Sequence, residues 1–375
     1  MEFISSPYPH ILLPSTKRLH GWWPGKRECT GERLLINPYN GCAVNCFFCY
    51  ARAFPGRFQN WHKEGIVTVS KDFPSQVAKQ LDAVKVASCG YLSPVSDPFH
   101  KVNDLYHYSE EIVKIFVERN LPINVTTKCV IPYEVVRLLS HQEHSFAQIS
   151  ILTLKEDLRK ILSPGGASTE KLLANFTRLK NEKVYGVARI DPILPYITDD
   201  YRELKELMER VVEKGARHIV TSVLDIPLST RDFILRNIKR YFGTEILRRY
   251  INLYQDKQGC YLHAEIGYRR EIFAYMKEVA LSCGVTFALC MEFERVGEKL
   301  RGLNQEFMTS TNCDGMDVPV YIRKNFKFFP ASSCKGNCLN CKEALCGIED
   351  LAMGKPGSKK DWKFSDYRRW SKKLG

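Results

Sequence analysis

From about residue 32 the chain alternates short, apolar, β-rich runs with segments whose apolar residues recur at helical spacing. The pattern predicts strands at Arg33–Asn37, Val86–Leu92, Ile123–Thr127, Ala147–Leu152, Tyr185–Ile190 and His218–Leu224. It predicts helices at Pro74–Val84, Ser109–Arg119, Tyr133–Leu139, Thr169–Lys180, Tyr201–Lys214 and Arg231–Tyr241. Ser109 is placed to cap the apolar series Ile112, Ile115 and Phe116. Six strand-helix units in alternation suit an α/β fold in which a parallel sheet curls into a partial (β/α)6 barrel of the TIM type. A helix at Glu271–Ser282 and a strand-like run at Val285–Met291 extend or flank that sheet. After Glu294 the alternation stops and Gly, Asn, Lys and Cys dominate. The expected organisation is an N-terminal extension over 1–31, a barrel over 32–300 and a Cys-rich extension over 301–375.

Composition narrows the class. A chain of 375 residues with 44% hydrophobic residues can fill a large core. No stretch approaches the roughly 18 apolar residues of a membrane span, and Pro7, Pro9 and Pro14 interrupt the start. The reading is a soluble, cytoplasmic protein with no membrane partner. Its formal charge of +13 favours polyanions, nucleic acid first among them. Much of the excess lies in Lys355–Gly375, where eight Lys/Arg face Asp361 and Asp366. There Lys359, Lys360, Trp362, Lys363, Phe364, Tyr367, Arg368, Arg369 and Trp370 interleave basic and aromatic side chains. Such a tail can pair phosphates and stack bases, or form an amphipathic helix docked through its aromatics. Trp22-Trp23-Pro24-Gly25-Lys26-Arg27 is similarly ambiguous.

Seven of the fourteen cysteines fall in two tight groups, which in a long chain without an export signal points to metal. Cys42, Cys46 and Cys49 follow the first strand with C-x3-C-x2-C spacing. Three thiolates are one fewer than a 4Fe-4S cluster needs, so one iron stays open for a ligand. The rival is a zinc knuckle completed by a distant ligand such as His62. Cys334, Cys338, Cys341 and Cys346 form the second group, with Cys313 as an alternative ligand. Their density suits an iron-sulfur cluster more than a zinc ribbon.

The C-x3-C-x2-C spacing, with Phe48 before the last cysteine, resembles the signature of radical S-adenosylmethionine (SAM) enzymes. The wider stretch Asn37-Pro38-Tyr39-Asn40-Gly41-Cys42, with Cys49-Tyr50-Ala51-Arg52, is similar to the branch that includes spore photoproduct lyase. Ser96-Asp97-Pro98-Phe99, Thr127-Lys128, Ser150 and Arg189-Ile190-Asp191-Pro192 match that branch in order, over roughly residues 35 to 200. The resemblance implies a SAM-cleaving lyase-like enzyme that makes a 5'-deoxyadenosyl radical for hydrogen abstraction, fed by reduced flavodoxin or ferredoxin. Phe48 would pack near the adenine, Ser96 and Asp97 would bond the ribose, Lys128 would pair with the methionine carboxylate, and Ser150 would line the pocket. Arg189 would reach the SAM carboxylate or the substrate. The branch carries a hydrogen-donor cysteine just before its S-D pair, where this chain has Leu92-Ser93-Pro94-Val95, so the photolesion reaction is not assigned. Cys129, beside Lys128, is the expected alternative donor. The remaining substrate readings are nucleic acid, or a peptide or small metabolite. The non-enzyme alternative is a zinc-stabilised nucleic-acid-binding protein.

Overall fold

The computed structural model describes residues 2–5, 8–21, 33–357 and 363–373. Its centre is a seven-stranded parallel sheet in sequential order. The strands are β1 (Leu34–Ile36), β2 (Gly90–Leu92), β3 (Ile123–Thr127), β4 (Phe146–Ser150), β5 (Tyr185–Ile193), β6 (His218–Val223) and β7 (Thr286–Leu289). Sequential order with helical crossovers curls the sheet one way, giving a partial barrel whose edge strands are β1 and β7. The expected six units are therefore joined by a seventh strand, from the run expected to extend or flank the sheet.

The principal helices are α1 (Arg57–Glu64), α2 (Phe73–Asp82), α3 (Tyr108–Glu118), α4 (Tyr133–Ser140), α5 (Thr169–Asn181), α6 (Tyr201–Lys214), α7 (Arg231–Leu253), α8 (Ile266–Ser282) and α9 (Phe364–Lys373). Apolar faces such as Leu204, Leu207, Met208 and Val211 of α6 are buried against the sheet, while their charged faces meet water. Asp200 caps α6 by accepting from the N–H groups of Arg202 and Glu203.

Two expectations need correction. The run Val86–Leu92 is two strands: Val86–Ala87 pairs outward with Tyr321 and Ile322, and only Gly90–Leu92 enters the barrel. Ser109 does not cap α3; His107 holds that position in a left-handed conformation, and the Ser109 hydroxyl donates to the Pro98 carbonyl at 2.6 Å. The helix from Arg231 ends near Tyr241 as expected, at Gly243, whose φ of 89° and ψ of 173° are not helical, and a second helical stretch follows to Leu253.

The N-terminal segment joins the barrel's periphery. His10–Pro14 runs parallel to Val67–Lys71, which also pairs with Tyr39–Asn40 at the entry to the first cysteine group. At the other end Val318 packs with Cys89, Phe146, Val187 and Val220, so the C-terminal extension closes the floor where the strands begin. The described part of the tail is docked: Tyr367 and Trp370 are buried, their rings 5.0 Å apart, and Trp370 Nε1–H donates to Asp350 at 2.7 Å. The tail's stacking role is thereby corrected for these residues, because their ring faces are already covered. Lys359, Lys360, Trp362 and Trp22–Arg27 lie outside the described residues.

Candidate active site

Cys42, Cys46 and Cys49 sit on the loop after β1, at the mouth formed by the C-terminal strand ends. The loop is held by its carbonyls. Trp61 Nε1–H donates to Cys42 O at 3.1 Å, Arg52 Nε–H donates to Cys46 O at 3.0 Å, and the Arg52 guanidinium lies over the Trp61 ring at 4.3 Å. The Ala43 N–H donates to His100 Nδ1 at 3.2 Å. Gly41 has φ +82°, and a side chain there would strike Trp61 Cγ at 2.3 Å, so this approach requires glycine. Gly165 comes from the opposite side, its N–H donating to Val44 O at 3.0 Å.

Burial pushes the Cys42 thiol far above its usual pKa, and Cys49 and Asp97 add to the effect. Burial and then Cys46 push Cys49 up to about 11. A cation in the loop would offset the burial that keeps Cys42 and Cys49 protonated, which is the donor chemistry an iron-sulfur cluster supplies. Among the described residues no three His, Cys, Asp or Glu converge on the position of a single ion. A four-iron cluster puts each thiolate on a different iron, so its ligands ring a space and do not meet at one point. His62 stands apart on α1, its ring edge-on to Phe233 at 5.0 Å.

The strand ends bring the expected SAM residues to this mouth. The Ser96 hydroxyl is buried and has no hydrogen-bond partner among the described residues, as is true of Ser93. Buried hydroxyls without partners are costly, and a bound polar ligand would satisfy them. Asp97 is used within the chain: Oδ1 accepts from Thr127 Oγ1 at 2.8 Å and Phe99 N at 3.0 Å, and Oδ2 accepts from Lys128 N at 2.6 Å. Burial raises its pKa despite these bonds. Its immediate effect is to tie the end of β2 to the end of β3 and so aim Lys128. Lys128 Nζ donates to Ser150 Oγ at 2.5 Å, beside a small cavity of about 10 Å3 bounded by Arg159 and Ser163. Ser163 Oγ is 3.3 Å from Cys46 Sγ, which connects that cavity to the cysteine loop. Phe48 is buried, edge-on to Phe47 at 5.4 Å. Cys129 is buried, and its pKa is raised by burial, Asp97 and Cys42.

Arg189 projects into the barrel. Its Nη2 pairs with Asp191 and donates to Cys290 Sγ at 3.1 Å, while Nη1 donates to Gln148 Oε1 at 2.9 Å. Burial opposes the guanidinium charge, but Cys290 and Asp191 outweigh it and raise the Arg189 pKa. Gln148 then donates to Asp314 at 2.8 Å, and Asp314 pairs with Arg33 at 3.2 Å. A polar chain thus runs from mouth to floor. The sequence reading missed Gln148, Cys290, Asp314 and Gly165; only the strand periodicity, which points Gln148 and Arg189 inward, carried any signal of it.

The second cysteine group lies on the extension, where Gly336 packs closely against the Val318 backbone. Cys334 and Cys346 share a hydrogen bond that lowers one thiol's pKa and raises the other's. Cys338 and Cys341 lie near enough to act on Cys346 and Cys334. Cys313 is buried at the floor, its carbonyl 3.2 Å from His218 Nε2, and Asn337 of the second cysteine group donates to the nearby Thr311 carbonyl at 2.5 Å.

Residues 36–211 match the model of the Radical SAM superfamily. The chain is 27% identical over 379 residues to a radical SAM Nalpha-GlyT isomerase of Pseudomonas phage M6, covering 95% of this chain and 78% of that one. It is 21% identical over 244 residues to an uncharacterised protein of Mycobacterium tuberculosis, covering 61% and 69%. Among solved structures, spore photoproduct lyase complexed with dinucleoside spore photoproduct superposes with a TM-score of 0.54 at 12% identity, over 75% of this chain and 81% of that one. The same lyase with bound AdoMet gives 0.53 at 12% identity, over 70% and 78%. The cysteine loop at the mouth of a parallel β/α barrel thus lies in a radical SAM domain, and the chain is an enzyme similar to those of that superfamily. Its fold is the one seen in spore photoproduct lyase. Among the described residues no helix is long and apolar enough to cross a membrane.

Proposed function

We propose that this protein is a radical SAM isomerase acting on a modified nucleoside carried in nucleic acid. The observation that carries the reading is the match to the phage Nalpha-GlyT isomerase, which extends over 95% of the chain and so includes the C-terminal extension. We read that substrate as a glycine-bearing thymine. The net charge of +13 supports a polyanionic substrate over a peptide or small metabolite.

Cys42, Cys46 and Cys49 would hold three irons of a 4Fe-4S cluster. When bound, the cluster and SAM supply a 5'-deoxyadenosyl radical for hydrogen abstraction. Ser96 offers the ribose a hydroxyl that needs a partner. Lys128, steadied by Asp97 and Ser150, offers an ammonium group to the methionine carboxylate. Phe48 supplies an apolar wall. Arg189, fixed by Gln148 and Asp191, orients the substrate from inside the barrel. Cys129, beside the cluster cysteines, would give its S–H hydrogen to the product radical, and the thiyl so formed would take back the abstracted hydrogen from 5'-deoxyadenosine, which keeps the isomerisation redox-neutral. Reduced flavodoxin or ferredoxin would supply the priming electron. The Cys334, Cys338, Cys341 and Cys346 group is read as a second iron-sulfur cluster, with structural zinc as its rival. Its place on the extension that closes the barrel floor supports a closed site far from the substrate.

The test is incubation of the reduced holoenzyme with DNA containing glycine-bearing thymine. Isomerisation appears as a nucleoside of unchanged mass and altered retention. Robust SAM cleavage without any such product would reject the substrate assignment. An unchanged deuterium distribution in product from Cys129→Ala would remove Cys129 as donor.

A further inference from the structure

Helix α7 lies beside the catalytic mouth. The Phe233 ring meets both His62 and the guanidinium of Arg52 at 5.0 Å, and Arg52 holds the carbonyl of Cys46. Two turns on, Tyr241 stands 6.2 Å from Phe47, the neighbour of Cys46, and is 42% exposed. The helix buries Ile234, Ile238, Tyr250 and Leu253 and turns its other face to solvent.

That outer face is basic. Residues 231–253 contain Arg231, Arg236, Lys239, Arg240, Arg248 and Arg249 against Asp232 and Glu245, a net of 6 − 2 = +4. Arg231 and Arg248 pair with those two carboxylates. Arg236, Lys239 and Arg240 are exposed, with no acidic partner among the described residues. The Arg240 guanidinium lies 5.4 Å from the Tyr241 ring centre. Three unneutralised cations on one face cost little in water but attract a chain of phosphates strongly. An exposed aromatic ring at their end offers a base a surface to stack on. Beyond the break at Gly243 a second helical stretch carries Arg248 and Arg249.

We propose that α7 is the nucleic-acid-binding surface of this enzyme: Arg236, Lys239 and Arg240 grip consecutive phosphates while Tyr241 stacks a base next to the cysteine loop. The surface rests on the nucleic-acid reading of the substrate and locates it. It also replaces the C-terminal tail, whose described aromatics are spent on docking.

The test is fluorescence anisotropy of a labelled mixed-sequence 20-mer DNA, single-stranded and duplex, titrated with reconstituted full-length protein across a salt series. Three proteins are compared: wild type, Arg236→Gln/Lys239→Gln/Arg240→Gln, and a control with Lys79→Gln/Lys114→Gln/Arg137→Gln on the outer helices. Loss of three phosphate contacts predicts a slope of log K against log salt shallower by about 2 for single strands. Affinity at low salt should fall about 10- to 100-fold in the α7 variant and stay at the wild-type value in the control. Tyr241→Ala should weaken single-strand binding about tenfold without changing the slope. Wild-type binding with an unaltered α7 variant, or an equal loss in the control, would overturn the assignment of α7 and leave the nucleic-acid reading standing. No wild-type binding to either DNA at any salt would overturn both.

Discussion

Adding one methyl group at Gly165 should dislodge the catalytic loop without unfolding the barrel. A Cβ at residue 165 would stand 1.9 Å from the Ala43 carbonyl oxygen, 2.8 Å from its carbon and 3.0 Å from Val44 Cα. A carbon and a carbonyl oxygen approach no closer than about 3.3 Å in ordinary contact. The segment must therefore separate from Gly165 by roughly 1.4 Å, stretching the Gly165–Val44 hydrogen bond beyond use. Both partners are backbone, so no rotamer change relieves the contact. Overpacking of this kind costs about 1–3 kcal/mol, or roughly 1–4 °C in Tm for a chain of this length. That is a small loss globally, but it falls on the residues between Cys42 and Cys46. Gly166→Ala is the control, since its Cβ meets Lys128 O at 3.1 Å and Ser163 O at 3.2 Å, contacts relieved by a few tenths of an ångström. After anaerobic reconstitution, Gly165→Ala should lose most of the iron bound by the first cysteine group, and Gly166→Ala should retain it. The SAM-induced change in the reduced cluster's electron paramagnetic resonance spectrum should vanish with that iron. Full iron content and an unaltered spectrum in Gly165→Ala would refute the argument.

Other outcomes follow from the same framework. His218 is buried under the floor, and desolvation draws its pKa down to about 4, against 6.5 when unfolded. Above pH 6.5 neither state is protonated; as pH falls from 6.5 to 4 the unfolded state gains a proton that the native state refuses, and stability drops. The loss reaches about 3 kcal/mol, and denaturant midpoints of wild type and His218→Gln should converge on acidification. The Arg33–Asp314 pair is buried on both sides, so Asp314→Asn should destabilise by about 3–5 kcal/mol, with partial recovery in Arg33→Met/Asp314→Asn. Lys128→Met should weaken SAM binding about 10- to 100-fold while leaving iron content unchanged, as read by isothermal titration on reconstituted protein.

Much of this architecture is written locally. Ile123–Thr127 and Tyr201–Lys214 were placed residue for residue, because buried parallel strands read as apolar runs and α6 carries a clean stripe with an Asp200 cap. Where the sequence misled, a distant partner decided the outcome. The apolar run Val86–Leu92 splits because Tyr321 and Ile322 claim its first residues. Ser109 looks like a cap but bonds the Pro98 carbonyl, tying α3 to the Ser96-Asp97 turn. Within the site, the cysteine spacing and the strand-end residues were legible because their chemistry is specific. The contact between Gly165 and Ala43 was not, since nothing local distinguishes a glycine that meets another backbone from one in an open turn. Asp314 and Cys290 escaped for the same reason: their roles exist only once the barrel brings them to Arg33 and Arg189.

The central claim is that Cys42, Cys46 and Cys49 hold the cluster at which SAM is cleaved. Its most direct test is anaerobic iron, sulfide and zinc analysis of wild type and the Cys42→Ala/Cys46→Ala/Cys49→Ala variant, with dithionite-driven SAM cleavage measured on the same samples. The account predicts that the variant loses about four irons together with all 5'-deoxyadenosine formation, and that the metal left behind belongs to the second cysteine group. Zinc in wild type with no cleavage, or cleavage that survives in the variant, would contradict it.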